Sequence, residues 1–102
     1  MSDQRTIDTF IELVKINSTS RHEANIREYL QKFFKKQGHK TRVDKKGNLH
    51  ISIKGLQAHG PVIMFNAHMD TVVPGNNIQP IIKTDRIVSD GTTILGADDK
   101  VG

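Results

Sequence analysis

An apolar run that ends in a polar pair fills residues 62–70, which read Val62-Ile63-Met64-Phe65-Asn66-Ala67-His68-Met69-Asp70. Four consecutive apolar residues are typical of a strand that is covered on both faces in an α/β sheet. In open sheets of this class, ligands and active sites collect beyond the carboxyl ends of the strands. The sequence therefore predicts an α/β fold and places His68 and Asp70 where a functional site is expected.

Two helical patterns precede this predicted strand. Apolar residues recur at helical spacing over residues 3–16, which predicts a first helix with one buried stripe. Ser20 followed by Glu23 has the spacing of a capping box, so a second helix is expected to begin there. Gly38 supplies a C-terminal stop for that helix.

Two hairpin patterns surround the predicted strand. Residues 41–43 and 49–53 change to a period of two around a Lys-Lys-Gly-Asn turn, which predicts a hairpin. Residues 81–83 and 86–88 predict a shorter β ribbon. The stretch Asp98-Asp99-Lys100 indicates the start of a third helix.

Composition excludes several classes of site. The chain has 102 residues, a net charge of +4 and no cysteine, so any metal must be held by His, Asp and Glu. The excess of Lys and Arg over residues 32–46 is typical of a solvated face, and no nucleic-acid motif accompanies it. No signal region or membrane-spanning run is present, and we expect a cytoplasmic protein with no membrane or nucleic-acid partner.

The spacing of His68 and Asp70 suits a metal site. Residues two apart on an extended backbone share a face, so the carboxylate can reach one imidazole nitrogen. Such a contact fixes the tautomer and directs the other nitrogen at a metal. A surface turn with incidental polar residues is the alternative for this pair.

The pair Asp98-Asp99 is weak evidence by itself, because adjacent acidic residues often begin a helix and complement its dipole. Both motifs, however, follow apolar strand-like segments and offer ligands that suit zinc or a similar divalent ion. Together they favour a metal site, with helix capping and a surface turn as alternatives.

Two longer motifs carry a family resemblance. They are Ala67-His68-Met69-Asp70-Thr71-Val72-Val73-Pro74-Gly75 and Ser89-Asp90-Gly91-Thr92-Thr93-Ile94-Leu95-Gly96-Ala97-Asp98-Asp99-Lys100. Together with the helical opening and residues 16–20, they resemble the peptidase T branch of the co-catalytic zinc exopeptidases. That superfamily also contains aminoacylases, glutamate carboxypeptidases and succinyl-diaminopimelate desuccinylases.

The resemblance implies a fold and a set of roles. The fold would be part of a three-layer α/β/α catalytic domain, with two N-terminal helices, a hairpin and the first core strands. His68 would bind one zinc, Asp98 would bridge two zincs, and Asp70 would be the catalytic-site carboxylate that orients His68. Asp99 would have a structural role through a cis peptide bond with Asp98.

The resemblance also implies what lies outside these residues. Residues 1–102 would be the N-terminal part of the catalytic domain, without the lid or dimerisation domain, the glutamate base or the other metal ligands. The complete enzyme would be an aminopeptidase that cleaves short peptides, and we expect the chain alone to be inactive and to bind zinc weakly or not at all. A non-catalytic remnant or interaction module without metal function is the alternative, and a basic nucleic-acid binder ranks third.

Overall fold

The computed structural model describes residues 3–57 and 59–102, which form two compact units. One unit contains residues 3–26 together with Ala67–Gly102, and the other contains Arg27–Asn66. The predicted site residues all belong to the first unit. The site can therefore be described within that unit alone.

Apart from the strand expected at residues 62–65, the helices and strands follow the predicted order. They are α1 (Asp3–Lys15), α2 (Ala24–Lys36), β1 (Lys40–Val43), β2 (Leu49–Ser52), β3 (Ile81–Ile82), β4 (Ile87–Val88) and α3 (Ala97–Lys100). Strand β1 pairs antiparallel with β2, and β3 pairs antiparallel with β4. The chain is thus a partial α/β domain made of helices and small antiparallel sheets. Within the described ranges, no helix has the length and apolar character needed to cross a bilayer.

The turn between β1 and β2 is organised by one carboxylate. Asp44 Oδ1 accepts hydrogen bonds from the backbone N–H groups of Lys46 and Asn48, both at 2.9 Å. Asp44 Oδ2 accepts one from the Asn48 side chain at 3.0 Å and lies 2.9 Å from His50 Nε2. The contact with His50 and the bonds from Asn48 hold the pKa of Asp44 well below its usual range. The hairpin is therefore closed by local contacts that its own sequence supplies.

A small core sits beneath the site in the first unit. The fully buried apolar side chains are those of Val14, Ile26 and Ile78. A Cβ atom built on Gly96 would lie 3.4 Å from Thr71 Cγ2, 3.6 Å from Ile78 Cδ1 and 3.8 Å from Val14 Cγ1. The segment before α3 thus packs closely over α1 because it carries a glycine at that point.

The prediction of a doubly covered strand at residues 62–65 is wrong for the structure of this chain. These four residues are assigned to no strand, and their exposed fractions are 96%, 73%, 78% and 91%. The pairings among the described residues are β1 with β2, β3 with β4 and an isolated bridge, so no neighbour lies beside this run. A strand exists only through hydrogen bonds to a neighbour, and an apolar run cannot supply them by itself.

The predicted capping box is also wrong. Helix α2 begins at Ala24, one residue after Glu23, so the Ser20–Glu23 spacing does not frame its first turn. Glu23 Oε1 accepts a hydrogen bond from the backbone N–H of Arg21 at 2.7 Å. The Ser20 hydroxyl donates instead to the carboxylate of Asp70, fifty positions along the chain. The Ser20 hydroxyl is thus bonded to a charged acceptor from a distant part of the chain and does not frame the start of α2.

The predicted third helix is present only as a short, irregular turn. Helix α3 has four residues, and both Asp98 and Asp99 have non-helical backbone angles within it. The Asp98–Asp99 peptide bond is cis, as the resemblance implies. The acidic pair is therefore placed by an unusual backbone and does not simply cap a regular helix.

Candidate functional site

The His68 imidazole lies between two carboxylates. Its Nδ1 is 3.0 Å from Asp70 Oδ1 and 3.0 Å from the Asp70 carbonyl oxygen, and its Nε2 is 2.9 Å from Asp98 Oδ1. Asp98 lies thirty positions further along the chain. The structure therefore brings together three of the predicted site residues. Asp99 is turned away from them, since its Oδ1 accepts a hydrogen bond from the backbone N–H of Gly102 at 3.0 Å.

The two carboxylates change the acid–base properties of this cluster. The contact with Asp98, followed by that with Asp70, raises the pKa of His68 above its ordinary value. The hydrogen bond from Ser20 is the main cause that lowers the pKa of Asp70, and the contact with His68 adds to it. Asp70 is thus held as an anion that accepts hydrogen bonds from two directions.

The segment that follows α1, residues 18–20, supports Asp70 through its pairing with Thr71. The backbone N–H of Thr71 donates to the Ser18 carbonyl at 2.9 Å, and the Ser20 N–H donates to the Thr71 carbonyl at 3.2 Å. These two bonds form a parallel bridge between Thr19 and Thr71. In addition, Ser20 Oγ donates to Asp70 Oδ2 at 2.5 Å. Nothing in the sequence around Ser18 and Ser20 predicts that they contact Thr71 and Asp70.

Lys100 links the same segment to the acidic motif. Its side chain is buried, and its Nζ donates to Ser18 Oγ at 2.8 Å and approaches the Leu13 carbonyl at 3.5 Å. Burial lowers the pKa of Lys100. No role for Lys100 is predicted from the sequence, yet its contact with Ser18 holds the turn that carries Asp98 against the end of α1.

The turn after Asp70 is tightly packed. The Val73–Pro74 peptide bond is cis, and the Pro74 carbonyl accepts a hydrogen bond from the Ile94 N–H at 2.9 Å. A Cβ atom on Gly75 would lie 2.5 Å from the Val72 carbonyl oxygen and 2.9 Å from Thr71 Oγ1. Only glycine fits at this position without a shift of its neighbours.

A cavity of about 350 Å³ opens at the cluster. Its polar residues include His68, Asp70 and Asp98, and its apolar side is formed by Val72 and residues 94–97. An apolar wall beside a few converging polar groups is the usual composition of a small-molecule site.

The chemistry of these side chains fits part of a zinc site. Two ligand atoms that each lie about 2.0 Å from a zinc ion are about 3.3 Å apart at the tetrahedral angle. His68 Nε2 and Asp98 Oδ1 are 2.9 Å apart, so a small opening would give both the separation of two ligands of one metal. Asp70 on the opposite nitrogen is the usual partner of a metal-bound histidine. Across residues 3–57 and 59–102, however, no group of three or more potential ligands is assembled.

Comparisons with known proteins find similar folds and sequences. The fold matches the crystal structure of aminopeptidase PepT from Bacillus cereus with a TM-score of 0.94 and 42% identity, over 98% of this chain and 29% of that one. It matches a tripeptidase from Staphylococcus aureus with a TM-score of 0.92 and 39% identity, with the same coverage of both chains. The sequence is 32% identical to the cytosol non-specific dipeptidase of Escherichia coli, over all of this chain and 23% of that protein. The chain matches no family model.

In fold and in sequence, the chain is similar to part of the α/β structure of known peptidases. Among these peptidases, it is similar to the N-terminal part of peptidase T-like enzymes. It spans less than a third of the length of the relatives it matches.

Proposed function

We propose that the chain forms part of a zinc-dependent peptidase site that acts on short peptides. In this proposal His68 and Asp98 would hold the zinc, with Asp98 shared between two ions, and Asp70 would orient His68. The observation that carries the proposal is the position of the imidazole, which has a carboxylate within 3.0 Å of each ring nitrogen. The names of the relatives, an aminopeptidase, a tripeptidase and a dipeptidase, support short peptides as the substrate class.

Each side chain of the site has a different role in the proposed mechanism. Asp70 accepts a hydrogen bond from the His68 Nδ1–H group, which keeps the proton on Nδ1 and leaves the lone pair on Nε2 for a metal. Asp98 places a carboxylate oxygen beside that nitrogen as a second potential metal ligand. When bound, the two zinc ions would polarise the scissile carbonyl and lower the pKa of a water molecule. The apolar wall formed by Val72 and Ile94 would accommodate an uncharged part of the peptide.

We also propose that residues 1–102 act within a longer catalytic domain, with a lid or dimerisation domain elsewhere in the protein. The length of the relatives supports this, since the chain spans 23% of the dipeptidase and 29% of the aminopeptidase. A general base and further ligands are needed for hydrolysis, and the described residues bring none to His68. The chain alone is therefore proposed to be inactive. A cytoplasmic location is also part of the proposal.

A non-catalytic interaction module without metal function is the competing proposal. The absence of a third ligand near His68 within the described residues favours it. The two proposals differ in whether zinc binds in a way that depends on His68 and Asp98.

Zinc binding by the purified chain tests the choice. Isothermal titration calorimetry should detect weak zinc binding by the parent chain, and the affinity should fall at least tenfold in His68→Ala and in Asp98→Asn. His59 is an exposed histidine in the other unit, so His59→Ala should bind zinc like the parent chain. Equal binding by all four proteins would contradict the metal-site proposal. The mass of the native protein, detected through a peptide covering residues 87–100, should exceed 11.4 kDa if the chain belongs to a longer enzyme. In that longer protein, His68→Ala should abolish peptide hydrolysis.

A further inference from the structure

We propose that Ser20 is a positioning residue for the site, which holds the Asp70 carboxylate in the orientation that His68 needs. This inference rests on the proposed function, because it gives Ser20 its effect through Asp70 and His68. The Ser20 hydroxyl bonds to one oxygen of the Asp70 carboxylate, and His68 contacts the other.

Backbone hydrogen bonds fix where the Ser20 hydroxyl lies. The N–H of Thr71 donates to the Ser18 carbonyl, and the N–H of Ser20 donates to the Thr71 carbonyl. Ser20 is thereby held beside Asp70, the residue before Thr71. Its Oγ lies 2.5 Å from Asp70 Oδ2, which leaves Oδ1 for His68 Nδ1.

An aspartate in this setting needs such a contact. The last torsion of an aspartate side chain has a broad energy well, so the backbone alone leaves the carboxylate free to rotate. The Asp70 side chain is 35% exposed, and water can therefore compete for its oxygens. A hydroxyl fixed at one oxygen limits this rotation and directs the other oxygen at the imidazole. The same hydrogen bond is the main cause of the lowered pKa of Asp70.

The fold depends little on this hydroxyl. Ser20 is exposed, so replacing it by alanine leaves no cavity and no buried polar atom unpaired at position 20. Its segment stays attached through the backbone bonds to Thr71 and through the buried contact of Ser18 with Lys100. A loss of the hydroxyl should therefore change the orientation of Asp70 more than the stability of the chain.

Three variants separate positioning from a structural role. Ser20→Ala removes the donor, Ser20→Thr keeps a hydroxyl at the same position, and Ser52→Ala removes an exposed serine hydroxyl from β2 in the other unit. Two readouts are taken: zinc affinity by calorimetry, and the tautomer of His68 in the metal-free chain by long-range ¹H–¹⁵N NMR at a fixed alkaline pH.

Loss of a direct partner of a metal-bound histidine costs about 10–100-fold in affinity, and Ser20 lies one contact further away, so we expect a loss of roughly three- to tenfold in Ser20→Ala. The fraction of His68 with its proton on Nδ1 should fall in the same variant, because Asp70 no longer competes as well with Asp98 for the proton. Ser20→Thr should keep the zinc affinity and the His68 tautomer fraction of the parent chain, and Ser52→Ala should leave both unchanged.

The results distinguish the two proposals. If zinc binding does not depend on His68, the metal-site proposal fails, and the NMR measurement alone then decides the role of Ser20. Unchanged affinity and an unchanged tautomer in Ser20→Ala would overturn the inference. It would also be overturned if Ser20→Ala lost helical circular dichroism to the same extent as its zinc affinity, because the hydroxyl would then act through the fold.

Discussion

Replacing Gly75 by alanine should destabilise the first unit strongly, because a methyl group has no room there. The new Cβ would lie 2.5 Å from the Val72 carbonyl oxygen, 2.9 Å from Thr71 Oγ1 and 3.3 Å from Thr19 Cγ2. Distances below 3.0 Å are essentially never seen around real Cβ atoms. The closest neighbour is a backbone atom, which cannot move away by changing a rotamer.

The size of the effect follows from the number of atoms that must shift. Overpacking a well-packed region costs about 1–3 kcal/mol. Gly75 should lie in the upper half of this range, because Thr71 and Thr19 are both buried and Thr71 is paired with Ser18 and Ser20. For a chain of this length, a loss of about 2–3 kcal/mol lowers the melting temperature by roughly 10–20 °C.

Two other glycines provide matched controls for the melting curve. Gly91 has a φ of +92° and open space around its Cβ position, so Gly91→Ala tests backbone conformation alone and should cost about 1–2 kcal/mol. Gly60 has open space and no left-handed φ, so Gly60→Ala should change stability by less than about 1 kcal/mol. Melting curves for Gly75→Ala and Gly60→Ala that coincide would refute the packing argument.

Three further predictions concern the polar contacts. In urea unfolding, Ser18→Ala should lower the free energy of unfolding by about 2–3 kcal/mol and Lys100→Met by about 1–2 kcal/mol. Ser18→Ala is the more costly because it leaves a buried cation without its hydroxyl partner, whereas Lys100→Met leaves only a neutral hydroxyl unpaired. The reverse order would contradict this reasoning. Asp98→Asn should lower the pKa of His68 toward its ordinary value in an NMR titration, since the contact with Asp98 is the main cause that raises it. Asp44 has a lowered pKa, so its contribution to stability is complete above about pH 4 and is lost as the pH falls through the folded-state value. The parent chain should therefore lose more stability on acidification than Asp44→Asn, and parallel losses would exclude this role.

The elements that depend on local contacts could be predicted from the sequence. Helix α1 follows from apolar residues at helical spacing, and the β1–β2 hairpin follows from its alternation and from a turn that Asp44 closes with its near neighbours. The prediction for residues 62–65 failed because strand formation is not a local property. An apolar run indicates that something must cover it, but it does not contain the neighbour that would do so.

The site shows the same division. His68 and Asp70 are two residues apart, and their contact could be predicted from the alternation of side chains along an extended backbone. The approach of Asp98 to His68 spans thirty positions. The apolar segments before both motifs favour a shared metal site, and the family resemblance implies a specific role for each residue. The partners of Ser20 and Lys100 are fifty and eighty-two positions away, and no spacing in the sequence predicts them.

The segment Ser18–Ser20 explains why both motifs depend on residues outside them. On an extended backbone, Ser18 and Ser20 share one face and Thr19 points to the other. Ser18 accepts the hydrogen bond from Lys100 in the second motif, and Ser20 donates to Asp70 in the first. From the other face, the Thr19 methyl lies near Gly75, which also belongs to the first motif. One parallel bridge to Thr71 thus sets three side-chain contacts at once. Ser18 and Ser20 reach their partners because the backbone pairing with Thr71 holds both residues in place. No sequence pattern predicts that pairing.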